Sequence, residues 1–162
     1  MLGKTMIVAM YHYNHLTNNR LLDLAGRVTA EKWDAPQEAG QRSLHETAFH
    51  MVVEDEWLHL VRHGEPIWDQ LPASDYPDVR TLRAFSDAVY AQYNPYVEGL
   101  TDEQLVTTVT GMMPDDEVRT WPVWYLLVHM LYHSAQHRSE MASMLTRQVC
   151  SWARSGTGRA RA

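Results

Sequence analysis

The chain reads as all-α, and three observations predict this. Four long stretches place apolar residues at helical spacing. No alternating run of strand type extends beyond about five residues. Paired capping and stop signals bracket the periodic stretches. Four amphipathic helices of about twenty residues, with no sheet to cover, pack best as a four-helix bundle. The 162 residues make one domain, expected to fill 1–150, with 151–162 as a disordered tail because SGTGRARA is small, polar and basic.

The first helix is expected from Thr5 to Val28, with Ile7, Met10, Tyr11, Leu21, Leu22, Ala25 and Val28 on its inner side. Ala35, Pro36 and Gly40 then break the chain. The second helix starts at Ser43, where SLHE forms a capping box. It ends at Gly64, a left-handed cap followed by Pro66. A long connection to Pro77 crosses one end of the molecule. The third helix begins near Asp78 and carries Val79, Leu82, Phe85, Val89 and Tyr93 until Pro95 kinks or ends it. TDEQ at 101–104 caps a short helix, and VTTVTG with EVRTW can form a small hairpin around MMPDD. The fourth helix starts near Pro122 and runs to about Val149.

Composition excludes several functions. The net charge is −6 with no basic stripe, which disfavours nucleic-acid binding. No stretch is apolar for long enough to span a membrane. A single cysteine, Cys150, forms no internal disulfide and fits a reducing cytoplasm.

Histidine placement carries the chemistry. HMLYHSAQHR at 129–138 sets three histidines four residues apart on the fourth helix. At about 100° per residue from His133, Leu126 and Met144 lie near 20°, Met130 near 60° and Leu127 near 120°. His137 is therefore well inside the apolar face, His133 is at its edge and His129 is on the outer margin. On the second helix, Thr47, Trp57, Leu58 and Val61 lie within about 80° of His50, whereas His45, His59 and His63 lie about 140–180° away and read as solvent-facing. Three inward imidazoles remain: His50, His133 and His137. Burying them is unfavourable unless each has a partner, and one metal ion satisfies all three. A three-ligand set leaves a fourth position for water or substrate. The competing reading for any lone inward histidine is an ordinary hydrogen-bonded core residue.

Other patterns carry less. HETAFH spaces His45 and His50 five apart, so it is not the zinc-protease helix motif. Glu56 and His59 form one Glu-x-x-His pair, where a di-iron bundle needs two. Asn14 and Asn18 sit near the apolar seam of the first helix, where their amides can bond a ligand histidine, a substrate, backbone or water. Glu54, one turn after His50, and His129 are further neighbours of the centre. Arg138 is expected at the surface or in a salt bridge. Trp57 belongs near His50, and Trp121 and Trp124 can wall a pocket mouth or simply pack in the core.

YHYNHLTNNRLLDLA at 11–25, HETAFHMVVEDEWL at 45–58 and HMLYHSAQHRSEMASML at 129–145 resemble the DinB/YfiT-like family of metalloproteins. The resemblance spans most of the chain and implies an up-down-down-up bundle with a long connection between helices 2 and 3, often as a homodimer. It implies zinc or nickel held by His50, His133 and His137; it does not imply DNA binding, which the acidic charge also disfavours. It further implies a thiol-dependent S-transferase or related hydrolase, with a low-molecular-weight thiol such as mycothiol or bacillithiol and a small-molecule substrate. The family often has Asn where this chain has Tyr132, which bears on the surroundings of the metal. The alternatives are a non-catalytic metal-binding stress-response bundle and, more remotely, a metal-free dimerisation module.

Overall fold

The computed structural model describes residues 3–36, 42–53, 57–64, 71–112 and 116–156. The chain is mostly helical, with one two-stranded sheet. Helix α1 runs Lys4–Ala25, α2 Ala30–Asp34, α3 Leu44–Val53, α4 Trp57–His63, α5 Val79–Gly99, α6 Asp102–Leu105 and α7 Val123–Gly156. Strands β1, Thr108–Met112, and β2, Val118–Pro122, pair antiparallel between α6 and α7. Helix α1 packs on α7, α5 and α3, and α3 packs on α7 and α5.

Local chemistry sets the helix ends. The Ser43 amide donates to Glu46 Oε2 at 2.7 Å, and the Glu46 amide donates to Ser43 Oγ at 3.0 Å. This reciprocal cap starts α3 and holds the Glu46 carboxyl below its usual range. Asp78 with Thr81 and Thr101 with Gln104 form the same box at α5 and α6. Gly64 stops α4 at φ +75°, donating to the Leu60 carbonyl at 2.8 Å.

Several expectations need correction. Helix α1 stops at Ala25, three residues before Val28, where backbone amides of Gly26, Arg27 and Val28 close tight turns on Leu22, Leu24 and Ala25. Met10 is 36% exposed, off the inner face. Pro95 does not end α5, which continues to Gly99. One proline removes a single donor, and the turn beyond it is held by buried Val97 and by Tyr96 donating to the Val61 carbonyl. The second predicted helix is described as two pieces, α3 and α4, with 54–56 outside the described residues. Helix α7 starts at Val123, because Pro122 pairs with Thr108 as the last strand residue. Helix α7 continues to Gly156, and residues 157–162 of the expected tail lie outside the described residues.

The core has two apolar clusters and a polar layer between them. One gathers Ile7, Tyr11, Leu58, Val89, Leu126 and Met130. The other gathers Leu22, Leu44, Met51, Leu82, Met141 and Met144. On α1 the residues between these clusters include Asn14, Asn18 and Asn19, on α5 Ser86, and on α7 Ser134 and His137, all buried.

The hairpin closes one end of the first cluster. A Cβ added at Gly111 would lie 2.8 Å from Cδ1 of Leu60, which is fully buried and has little room to turn. Gly111→Ala should therefore cost about 1–3 kcal/mol of stability, read as a lowered urea midpoint with an unchanged slope.

Candidate metal centre

Helix α7 carries two rows of side chains, offset by one residue and so by about 100°. His133 and His137 form one row, Ser134 and Arg138 the other. The second row meets α1. Asn14 and Asn18, themselves four apart, each donate through Nδ2 to Ser134 Oγ at 3.2 Å. Arg138 Nη1 donates to Asn18 Oδ1 at 2.7 Å and also to Asn14 Oδ1. Arginine has no acceptor, so it orients both amides, oxygen toward the guanidinium and nitrogen toward the serine. These bonds hold the rotation of α7 against α1.

With that rotation held, the histidine row faces α3. His50, His133 and His137 each offer a ring nitrogen, and the three nitrogens lie within 4.8 Å of one another. Ring centroids are 5.0 Å apart for His50–His133, 4.8 Å for His50–His137 and 4.4 Å for His133–His137, with planes 72–77° apart. His133 Nε2 and His137 Nε2 stand 3.2 Å apart. A tetrahedral ion about 2.0–2.1 Å from its nitrogens separates neighbouring ligands by about 3.3 Å, so this pair already has the spacing of two ligands. Glu140, one turn beyond, accepts from His137 Nδ1 at 2.7 Å. That bond places the ring proton on Nδ1 and leaves the Nε2 lone pair directed at the other two rings. The donor set fits a divalent ion, and these three residues can hold one.

Electrostatics favours ligand-ready rings. Burial, then the Arg42 charge and His137, lowers the His50 pKa to about 4. Burial, His137 and His50 lower that of His133 to about 4. Both rings are neutral at pH 7, the form that binds metals. Glu140 is held below its usual range against the opposing effect of burial, by its bonds to His137 and Gln136.

The other predicted neighbours divide. His129 is exposed but adjoins the centre, with its ring 6.0 Å from that of His133 and 5.8 Å from that of Trp57. Asn14 bonds Ser134 and Arg138, so its described bonds are not to a ligand histidine. Arg138 is half-buried on neutral amide oxygens rather than at the surface or in a salt bridge. Tyr132 is 73% exposed, so the position where the family often has Asn points away from the centre. Glu54 and Glu56 lie outside the described residues. Trp57 packs edge-on to Trp121 and near His129, while Trp124 is 38% exposed. Of the outward histidines, His63 is exposed, with its ring 4.5 Å from that of His59. His45 stacks on Trp33 and bonds Asp34 and the Tyr76 carbonyl, and His59 bonds the Tyr93 hydroxyl. Loop residues and α5 cover a helix face that periodicity alone assigns to solvent. Glu140 is absent from the sequence-based candidates, although its place three residues after His137 is the spacing at which helical side chains meet.

The metal-free protein should lose stability on acidification. Unfolded, His50 and His133 titrate near the ordinary 6.5; folded, near 4. Between these values the unfolded chain binds protons that the folded chain refuses, so stability is flat above about pH 6.5 and falls as pH drops toward about 4. Thermal melts across that range should show the slope, and His50→Asn should make it shallower.

A model of the DinB family matches residues 1–149. No curated protein matches the chain. Among solved structures, a DinB-like protein from Bacillus cereus ATCC 10987 superimposes with a TM-score of 0.68 at 18% identity, covering 91% of this chain and 93% of that one. That similarity shows the fold, and the family match covers nearly the whole length: the chain belongs to the DinB family.

Proposed function

We propose that His50, His133 and His137 hold a zinc or nickel ion, and that the protein is a metal-dependent enzyme acting on small molecules. The reaction we favour is thiol-dependent S-transfer or a related hydrolysis. The observation that carries this reading is the convergence of three ring nitrogens within 4.8 Å from two separate helices. Three protein ligands suit a catalytic site, where a fourth position stays available. Bound there, a divalent ion would supply Lewis acidity and lower the pKa of a thiol or water to near neutral. The chain supplies the rest. Glu140 orients the His137 ring, and the amide pair with Ser134 and Arg138 sets the rotation of α7. In transfer, the thiolate sulfur bonds to an electrophilic carbon whose leaving group departs with the bonding pair.

The fold belonging to this reading is a four-helix bundle of α1, α3 with α4, α5 and α7 in up-down-down-up order, supported by the packing of α1 and α3 on their neighbours. A homodimer is supported by Met6, Met10 and Tyr13, which leave an apolar stripe exposed on α1. Among the described residues no helix is long and apolar enough to cross a membrane. A cytoplasmic setting and a lack of nucleic-acid partners fit the single cysteine and the charge of −6.

Protein purified without a histidine tag should carry about one ion per chain by mass spectrometry, and His137→Ala should lose it. Glu140→Gln should weaken metal binding by about 10–100-fold while the fold is retained. Wild-type protein should consume a thiol with an aryl chloride electrophile only when metal is loaded. Retained metal with no turnover across a thiol panel would favour sequestration; failure to bind either ion would overturn the reading altogether.

A further inference from the structure

A groove of about 550 Å³ adjoins the centre, sharing His137 as part of its wall. Arg42 enters from the chain before α3, Thr47 from α3, and Glu140, Ser143 and Arg147 from α7. Two guanidinium groups thus flank one depression in a chain whose net charge is −6. Among the described residues, neither arginine has a carboxylate within ion-pairing distance; Arg147 donates only to Ser143 Oγ, at 3.4 Å. The one carboxylate of the wall, Glu140, is already engaged with His137 Nδ1 and with Gln136 Nε2. Two positive charges face one committed negative charge, which leaves the groove cationic. The Arg42 charge is also felt at His50, His133 and Glu140, as expected of a cation near the centre.

The opposite flank has a different character. There Trp57, Trp121, Tyr125 and His129 form a chain of ring contacts at 5.8–6.4 Å. An anion gains little against such rings, whereas a guanidinium fork matches a carboxylate bidentately. The groove volume falls in the range of small-molecule sites.

We propose that Arg42 and Arg147 form a carboxylate-binding subsite, so that the thiol used at the adjacent centre is an acidic one, anchored by its carboxylates with its sulfur toward the histidines. The thiol part of this inference rests on the metal-dependent transferase reading; the carboxylate subsite does not.

Calorimetric titration separates the two. Succinate is titrated into metal-free full-length protein, and into Arg42→Gln, Arg147→Gln and the distant surface control Arg20→Gln. Mercaptosuccinate and uncharged mercaptoethanol are then compared on zinc-loaded protein. Succinate should bind the wild type, weaken about tenfold in either groove variant and be unaffected in the control, with melting curves confirming that all variants fold. Mercaptosuccinate should bind the zinc form more tightly than either succinate or mercaptoethanol, because two linked contacts reinforce each other. Succinate that fails to bind, or binds the groove variants as well as the wild type, overturns the subsite. Mercaptoethanol binding as tightly as mercaptosuccinate overturns the acidic-thiol part and leaves the carboxylate subsite and the transferase reading standing. Arginine-dependent succinate binding in a protein that holds no metal upholds the subsite and removes the transferase.

Discussion

The structure depends on a polar layer through the middle of an apolar core. Buried polar groups cost stability unless they are paired, and here the pairing is done between helices. Asn14 and Asn18 of α1 share Ser134 and Arg138 of α7, and Asn19 accepts from Ser86 of α5 at 3.2 Å. Apolar contacts tolerate a small rotation or slide of one helix on another, but these bonds do not, because each donor meets a particular acceptor. The layer therefore sets the register of α1, α5 and α7, and the two apolar clusters add stability above and below it.

That register makes the histidine cluster a consequence rather than an accident. The side chains of the Ser134–Arg138 row and the His133–His137 row lie about 100° apart on one helix. Fixing the first row on α1 leaves the second no choice but to face α3, where His50 meets His133 and His137. A turn of α7 by one residue would send Arg138 toward the His137 position, placing a permanent cation among the rings. The positioning of the imidazoles thus comes from residues outside the histidine cluster.

Much of this is legible in the sequence, for identifiable reasons. Capping boxes at Ser43 and Thr101 and the Gly64 stop can be read because they are local, complete within four residues. The inward positions of His50 and His137 follow from helical period, since their neighbours are strongly apolar. Features set by distant chain segments are not readable in this way. His45 looks outward by period yet is covered by Trp33 and Tyr76, which arrive from α2 and the connection before α5. The short helix α2, with its single Thr29 cap and five residues, is too brief for periodicity to register, and buried Trp33 reveals its docking only in three dimensions. Pro95 reads as a breaker because its lost donor is local information, while the packing of Val97 and Tyr96 that carries α5 past it is not. The amides of Asn14 and Asn18 could be placed near the seam, but their partners lie more than a hundred residues away.

The surroundings of the three histidines bear on catalysis against storage. A site built only to hold an ion is best closed with a fourth protein ligand, and among the described residues no Cys, Asp or Glu joins the three rings in the cluster. Glu140, the nearest candidate by sequence, is turned to the far side of the His137 ring at Nδ1, where it orients the imidazole instead. Storage also calls for no particular character in the neighbouring surface. Here one flank is a cationic groove with Arg42 and Arg147, and the other is an aromatic wall with Trp57 and His129. Unlike flanks on either side of an incomplete ligand set suit two different reactants meeting at one centre. That difference between the flanks, more than the imidazoles alone, supports the proposed transferase over a metal store.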